Sequence, residues 1–155
     1  MIAAAVRKAR MQDVKPIHAL MLSTGHEGYL LPRSLSDIYS RVRDFFVLHD
    51  ENGALIGCSA LAITWENLAE VRSLLMVPDL RGGGGGHLLV SACLDEARSL
   101  GLARVFALTY QVRFFERQGF QVVSKDTLPQ KVWMDCIHCP KFPDCDETAV
   151  LLELA

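Results

Sequence analysis

EVRSLLMVPDLRGGGGGHLL, residues 70–89, is the passage on which the fold turns. Its first half is rich in branched residues and reads as a strand, which stops at Pro78 because proline has no N–H to give to a ladder. Five consecutive glycines follow, Gly82 to Gly86. From His87 the apolar positions Leu89, Cys93, Ala97 and Leu100 recur at three and four residues, the spacing of a helix face, and Gly101 closes the helix. Strand, glycine loop and helix in this order gather backbone N–H groups and the positive end of a helix dipole around one point, which suits a phosphate or pyrophosphate. A Walker loop would end in Gly-Lys-Ser/Thr where this chain has His87-Leu88, and a dinucleotide fingerprint would place a third glycine at His87. A turn that binds nothing is the plain alternative. It is weakened by the ordering cost of about 1 kcal/mol for each flexible glycine.

Upstream, AAVRKAR reads as an edge strand ending near Arg10. Asp13 is expected to cap a helix carrying Val14, Ile17, Leu20 and Met21 on one face, with Pro16 harmless in its first turn. Ser34 and Asp37 resemble a Ser-x-x-Asp capping pair and predict a second helix over 35–44. FFVLH, DENG and ALIGCSALAI form an antiparallel hairpin around Asn52-Gly53, which leads on to the strand of the opening passage. Downstream, ARVFALTY is a strand, VRFFERQ a short helix ended by Gly119, and FQVVS and AVLLEL are further strands. The order predicts a single α/β domain over 1–155 around one mixed sheet, with a cysteine-bearing segment at 126–148 inside it.

The chain has 155 residues, half of them apolar, and a net charge of −2. That length buries enough surface for a core without staples. The near-neutral balance, with no block of Lys and Arg, argues against nucleic acid as a partner. No apolar stretch approaches the roughly 18 residues of a membrane span, and MIAAAVRKAR is too short for a signal peptide, so a cytoplasmic location is expected, with no membrane partner. Cys58 and Cys93 lie in apolar surroundings and read as reduced, buried thiols.

VPDLRGGGGGHLL resembles the acetyl-CoA loop of the GNAT (Gcn5-related) N-acetyltransferase superfamily, in which Arg/Gln-x-x-Gly-x-Gly/Ala follows a strand ending in a proline-containing turn. Arg81, Gly84 and Gly86 fill that pattern, and RQGF at 117–120 matches the glycine-Phe that closes the family's next helix. The resemblance spans about residues 4–124. It implies the GNAT fold: a mixed, mostly antiparallel sheet with helices on both faces and a splayed strand pair that holds acetyl-CoA. More narrowly, EVRSLLMVPDLRGGG, FALTYQ and LPQKVWMDCIHCPKFPDC are similar to the short N-acetylglutamate synthase-like branch. That branch implies acetylation of the α-amine of an amino acid, L-glutamate foremost, as a step towards arginine.

The resemblance implies roles for particular residues. Backbone groups at Leu75, Met76 and Val77 would hold the pantetheine arm and polarise the thioester carbonyl. Arg81, Gly82, Gly83, Gly84, Gly85, Gly86 and His87 would cradle the pyrophosphate. Glu70 resembles the carboxylate that deprotonates the amine; a surface carboxylate paired with Arg72 is the structural alternative. A dicarboxylate acceptor calls for guanidinium forks, and Arg33 and Arg72 are the candidates, ahead of Lys131 and Arg113. Arg72 is two residues from Glu70 and so on the same strand face. Many family members carry a tyrosine that protonates the leaving thiolate where this chain has Phe115, so Tyr110 or solvent is expected to serve instead.

Cys136, Cys139 and Cys145, with His138 among them, have the donors for a zinc site, but adjacent His138 and Cys139 make four-fold closure awkward, and zinc is not favoured. His18 reads as a core or rim residue. Trp65 is expected to be explained by burial, and Phe114, Phe115, Met21 and Met76 by packing. The tail strand could pair with a second copy of the chain, making a homodimer a candidate. Two alternatives stand beside glutamate acetylation: a GNAT enzyme acting on another small amine, and a non-catalytic acyl-CoA-binding or metal-sensing module.

Overall fold

Among the described residues of this computed structural model, 5–25, 33–128 and 147–154, seven strands and four α-helices follow one another. In chain order they are β1 (Ala5–Lys8), α1 (Val14–Gly25), α2 (Leu35–Ser40), β2 (Phe45–His49), β3 (Leu55–Trp65), β4 (Leu68–Met76), α3 (Gly85–Ser99), β5 (Arg104–Thr109), α4 (Val112–Arg117), β6 (Gln121–Val123) and β7 (Thr148–Glu153). The strands hydrogen-bond in the order β1-β2-β3-β4-β5-β7-β6. The pairs β1–β2, β2–β3, β5–β7 and β6–β7 are antiparallel, and β4–β5 is parallel, as the mixed, mostly antiparallel expectation required. A parallel pair needs a crossover between its strands, and α3 supplies it.

Contacts divide the chain into two units. The first comprises the residues up to Leu61 together with Val71–Glu96. Here Val14, Ile17 and Met21, one stripe of α1, pack with Ile38 of α2 and with Phe45, Val47, Cys58, Ala60 and Leu75 of the strands. The hairpin turn between β2 and β3 is closed by the Asp50 carboxylate, which accepts from the N–H groups of Asn52 and Ala54 at 2.9 Å each, while Gly53 takes φ +83°. The second unit comprises Ala62–Glu70 and the residues from Ala97 onward. Its core gathers Leu68, Phe106, Leu128 and Ala149.

Three local expectations change. Asp13 does not cap α1: it ends a 3-10 turn, Met11–Asp13, and its carboxylate turns back to the Arg10 N–H at 2.7 Å and to the Arg7 guanidinium at 2.8 and 2.9 Å. The Arg7 hydrogen bonds outweigh burial and hold Asp13 below the usual carboxylate range. The helix expected over 35–44 is α-helical only to Ser40; Arg41 leaves the helical region at φ −113°, and a 3-10 turn, Val42–Asp44, delivers the chain into β2. The Ser34 cap is present, accepting from the Asp37 N–H at 3.1 Å. Trp65 is 51% exposed, so burial does not account for it.

Two glycines set how closely the elements of the first unit approach. A Cβ on Gly57 of β3 would lie 2.5 Å from the Met76 sulfur and 2.9 Å from the Leu75 carbonyl oxygen, and one on Gly85 of α3 would lie 2.5 Å from Met76 Cε and 2.9 Å from Leu48 Cδ2. β3, the end of β4 and the start of α3 therefore meet around Met76 with no room for a methyl group. Gly57→Ala should destabilise the protein by about 1–3 kcal/mol in urea unfolding; a variant that unfolds with the parent would contradict this packing.

Both predicted thiols are buried. Cys58 donates to the Ser73 carbonyl at 3.3 Å, and the Cys93 sulfur lies 3.3 Å from the Ser59 hydroxyl. Burial pushes Cys58 up to about 12 and Cys93 up to about 11 from an ordinary value of 9.0. Neither thiol should be alkylated by iodoacetamide at pH 8 until the protein is unfolded, as read by peptide mass. Because the unfolded chain ionises these thiols first, stability should decline as pH rises above about 9.

Candidate active site

Glycine shapes the loop after β4. Gly82 and Gly84 take φ of +86° and +94°, in the left-handed region open to glycine. The helix starts at Gly85, two residues earlier than the apolar spacing from His87 indicates, so Gly85 and Gly86 form its first turn. The Leu88 N–H donates to the Gly84 carbonyl at 3.2 Å. The N–H groups of Gly84, Gly85 and Gly86 precede that bond, at the positive end of the helix dipole. Arg81 and His87 are exposed at the two ends of the glycine run. Bare donors with no side chain between them and an approaching anion fit a diphosphate.

Behind the loop, the end of β4 and the residue after it carry the expected pantetheine-holding groups of Leu75, Met76 and Val77. The Val77 N–H donates to the Ile56 carbonyl of β3 at 2.9 Å, and the Val77 carbonyl accepts from the Leu80 N–H at 3.1 Å. Its N–H is thus engaged within the sheet, while its carbonyl keeps a second lone pair. Successive N–H groups of a strand point to opposite edges, so that of Met76 lies on the edge away from β3. Ser73, which the sequence pattern does not single out, has φ +56° inside β4, a conformation costing of order 1 kcal/mol or more for a side chain. Beyond it the alternation of β4 ends: Glu70, Arg72 and Leu74 are half-buried between buried residues, whereas Leu75 and Met76 are both buried.

Charged groups collect in the first unit. Arg33, just ahead of α2, bonds Asp37 Oδ2 through Nη1 at 2.8 Å, and Arg41 Nε bonds Asp37 Oδ1 at 3.1 Å. Burial raises Asp37, but the two arginines outweigh it and hold the carboxyl low. Asp44 behaves oppositely. Burial raises it, and the pull of Arg41, Arg72, Lys8 and Arg33 does not overcome that. Both predicted acceptor ligands, Arg33 and Arg72, are thus within electrostatic reach of Asp44, a residue that no motif marks.

In the second unit, Glu70 is half-buried on β4, its Cα opposite Phe106 of β5. Tyr110 is half-buried directly after β5, where the Gln111 N–H donates to the Thr109 hydroxyl at 2.8 Å. Phe115 is 4% exposed and edge-on to Phe114 and Phe120, with ring centroids 5.2 and 5.1 Å away, so the position where many GNAT members carry tyrosine holds a packing ring. Cys136, Cys139, Cys145, His138 and Lys131 lie outside the described residues. A hollow of about 560 Å³ lined by Ala5, Arg7, Gln12, Asp13, His49 and Gly53 contains none of the loop residues, and its arginine and aspartate satisfy each other.

Comparison with known proteins places this geometry. The chain matches the acetyltransferase (GNAT) family over residues 12–120. It is 40% identical to an uncharacterized N-acetyltransferase of Chlorobaculum tepidum, covering 96% of both chains, and 37% identical to an amino-acid acetyltransferase of Mycobacterium tuberculosis, covering 83% of this chain and 74% of that one. Among solved structures it superposes with a TM-score of 0.88 and 28% identity on N-acetylglutamate synthase from Neisseria gonorrhoeae complexed with coenzyme A and N-acetyl-glutamate, covering all of this chain but 36% of that longer one. By the family match over residues 12–120 and by the 40% identity that covers 96% of both chains, this chain belongs to the acetyltransferase (GNAT) family.

Proposed function

We propose that the protein is an acetyl-CoA-dependent N-acetyltransferase that transfers the acetyl group directly to the α-amine of an amino acid, with L-glutamate the foremost acceptor. The observation that carries the reading is the glycine-built start of α3, pressed against Met76 at the end of β4, whose leading N–H groups suit the diphosphate of coenzyme A. The acceptor class is supported by the amino-acid acetyltransferase and N-acetylglutamate synthase likenesses.

The assigned roles follow from the chemistry. Arg81, Gly82 to Gly86 and His87 bind the diphosphate, while Leu75, Met76 and Val77 offer backbone groups to the pantetheine arm. The Met76 N–H, on the edge of β4 away from β3, polarises the thioester carbonyl. Glu70 accepts a proton from the acceptor's ammonium, directly or through water, freeing the lone pair that forms the new C–N bond as the C–S bond breaks. Tyr110, or solvent, protonates the departing thiolate and takes up the second proton shed by the acylated nitrogen; the thiolate leaves readily because its conjugate acid has a pKa of roughly 8.5. Arg33 and Arg72 hold the acceptor's carboxylates.

A thiol-release assay with acetyl-CoA and a panel of amino acids and polyamines tests the reading: release is expected with L-glutamate above the other amines. Release with none of them, while acetyl-CoA still binds, would contradict it. Glu70→Gln should lower kcat by about 10²–10⁴-fold at pH 7. The deficit should shrink as pH rises, because the acceptor amine then loses its proton unaided. A loss independent of pH, or no loss, would remove Glu70 as the base.

A further inference from the structure

We propose that Asp37 is a positioning residue for the acceptor: it holds Arg33 by a single guanidinium nitrogen and so leaves the Nε and Nη2 edge to receive an acceptor carboxylate. The proposal rests on the reading of Arg33 as an acceptor ligand and deepens it. The same chain contains the contrasting arrangement. At Arg7, both terminal nitrogens go to the two oxygens of Asp13, at 2.8 and 2.9 Å, which consumes the fork in a structural pair. At Arg33, only Nη1 is engaged, by Asp37 Oδ2 at 2.8 Å. A guanidinium carries five N–H donors, and among the described residues no other hydrogen bond is made by this one.

Asp37 divides its two oxygens between two arginines, Oδ2 to Arg33 and Oδ1 to Arg41. Oδ1 accepts from Nε of Arg41, the residue directly after α2, at 3.1 Å. The backbone of Asp37 is fixed as well, since its N–H donates to the Ser34 hydroxyl at 3.1 Å. Arg33, Asp37 and Arg41 therefore form a row at i, i+4 and i+8 in which one carboxylate is shared by two cations. The row keeps a net positive charge, and Arg72 lies close enough to Asp44 to influence the same neighbourhood. The Arg33 and Asp37 side chains are 31% and 30% exposed, so the pair is open to a ligand. At that exposure the ion pair contributes little to stability, which separates a positioning role from a structural one.

The test compares Arg33→Ala, Asp37→Ala and Asp37→Asn by steady-state kinetics on the amino acid that the panel above identifies, with thermal melts of each variant. Arg33→Ala should raise the acceptor KM by about tenfold or more, and Asp37→Ala by about fivefold, through loss of a charge-assisted hydrogen bond or of its orientation. Asp37→Asn, which retains a neutral acceptor oxygen, should fall between Asp37→Ala and the parent. In all three, the acetyl-CoA KM and the melting temperature should stay close to the parent. If Arg33→Ala raises the acceptor KM and Asp37→Ala does not, the positioning role is wrong while the reading of Arg33 stands. If Arg33→Ala has no effect on that KM, both fall. If Asp37→Ala lowers the melting temperature and disturbs both substrates alike, Asp37 is only a helix residue and the proposal is overturned.

Discussion

The candidate chemistry depends on how closely the start of a helix can approach the end of a strand. Gly57 and Gly85 make that approach by lacking a side chain: each presents bare backbone to Met76, and a Cβ at either position would come within 2.5 Å of it. The consequence is geometric. The leading N–H groups of α3 are held at a defined place beyond β4, and the left-handed Gly82 and Gly84 fold the intervening chain without a side chain standing in front of those donors. A backbone anion site needs both conditions, because its donors belong to the main chain and only the fold can aim them.

Much of this was legible in the sequence for physical reasons. The glycine run and the apolar spacing at Leu89, Cys93 and Ala97 announce a loop feeding a helix, and Asn52-Gly53 announces the hairpin, because both are local signals. The helix start was misplaced by two residues because glycine has low helix propensity, whereas Gly85, packed against Met76 and Leu48, stands in the first turn. Asp13 has the residue type of a cap, yet its carboxylate is claimed by Arg7, six residues earlier on β1, a partner that helix spacing alone does not reveal. The left-handed Ser73 and the engaged backbone of Val77 have no sequence signature, since each depends on what the neighbouring strand presents.

The candidate side chains divide in a similar way. Arg33, Glu70 and Arg72 come from a family likeness and from strand alternation, and the alternation of β4 places the latter two on half-buried positions. The charge environments of Asp37 and Asp44 have no sequence signature, because what sets them apart is the number of cations around them. One carboxylate is held low by two arginines, while the other is raised by burial despite four nearby cations. Such differences arise from three-dimensional charge density, which a linear pattern does not encode. Phe115 is the reverse case: its departure from the family tyrosine is plain in the sequence, and its edge-on packing against Phe114 and Phe120 gives that ring a structural role.

Calorimetric titration of the protein with coenzyme A and, separately, with pantetheine and with adenosine 3′-phosphate, which between them lack only the diphosphate, addresses the central claim most directly. If the main chain at the start of α3 grips the diphosphate, coenzyme A should bind at least about a hundredfold more tightly than either fragment. Equal affinities, or no uptake of coenzyme A, would contradict the account.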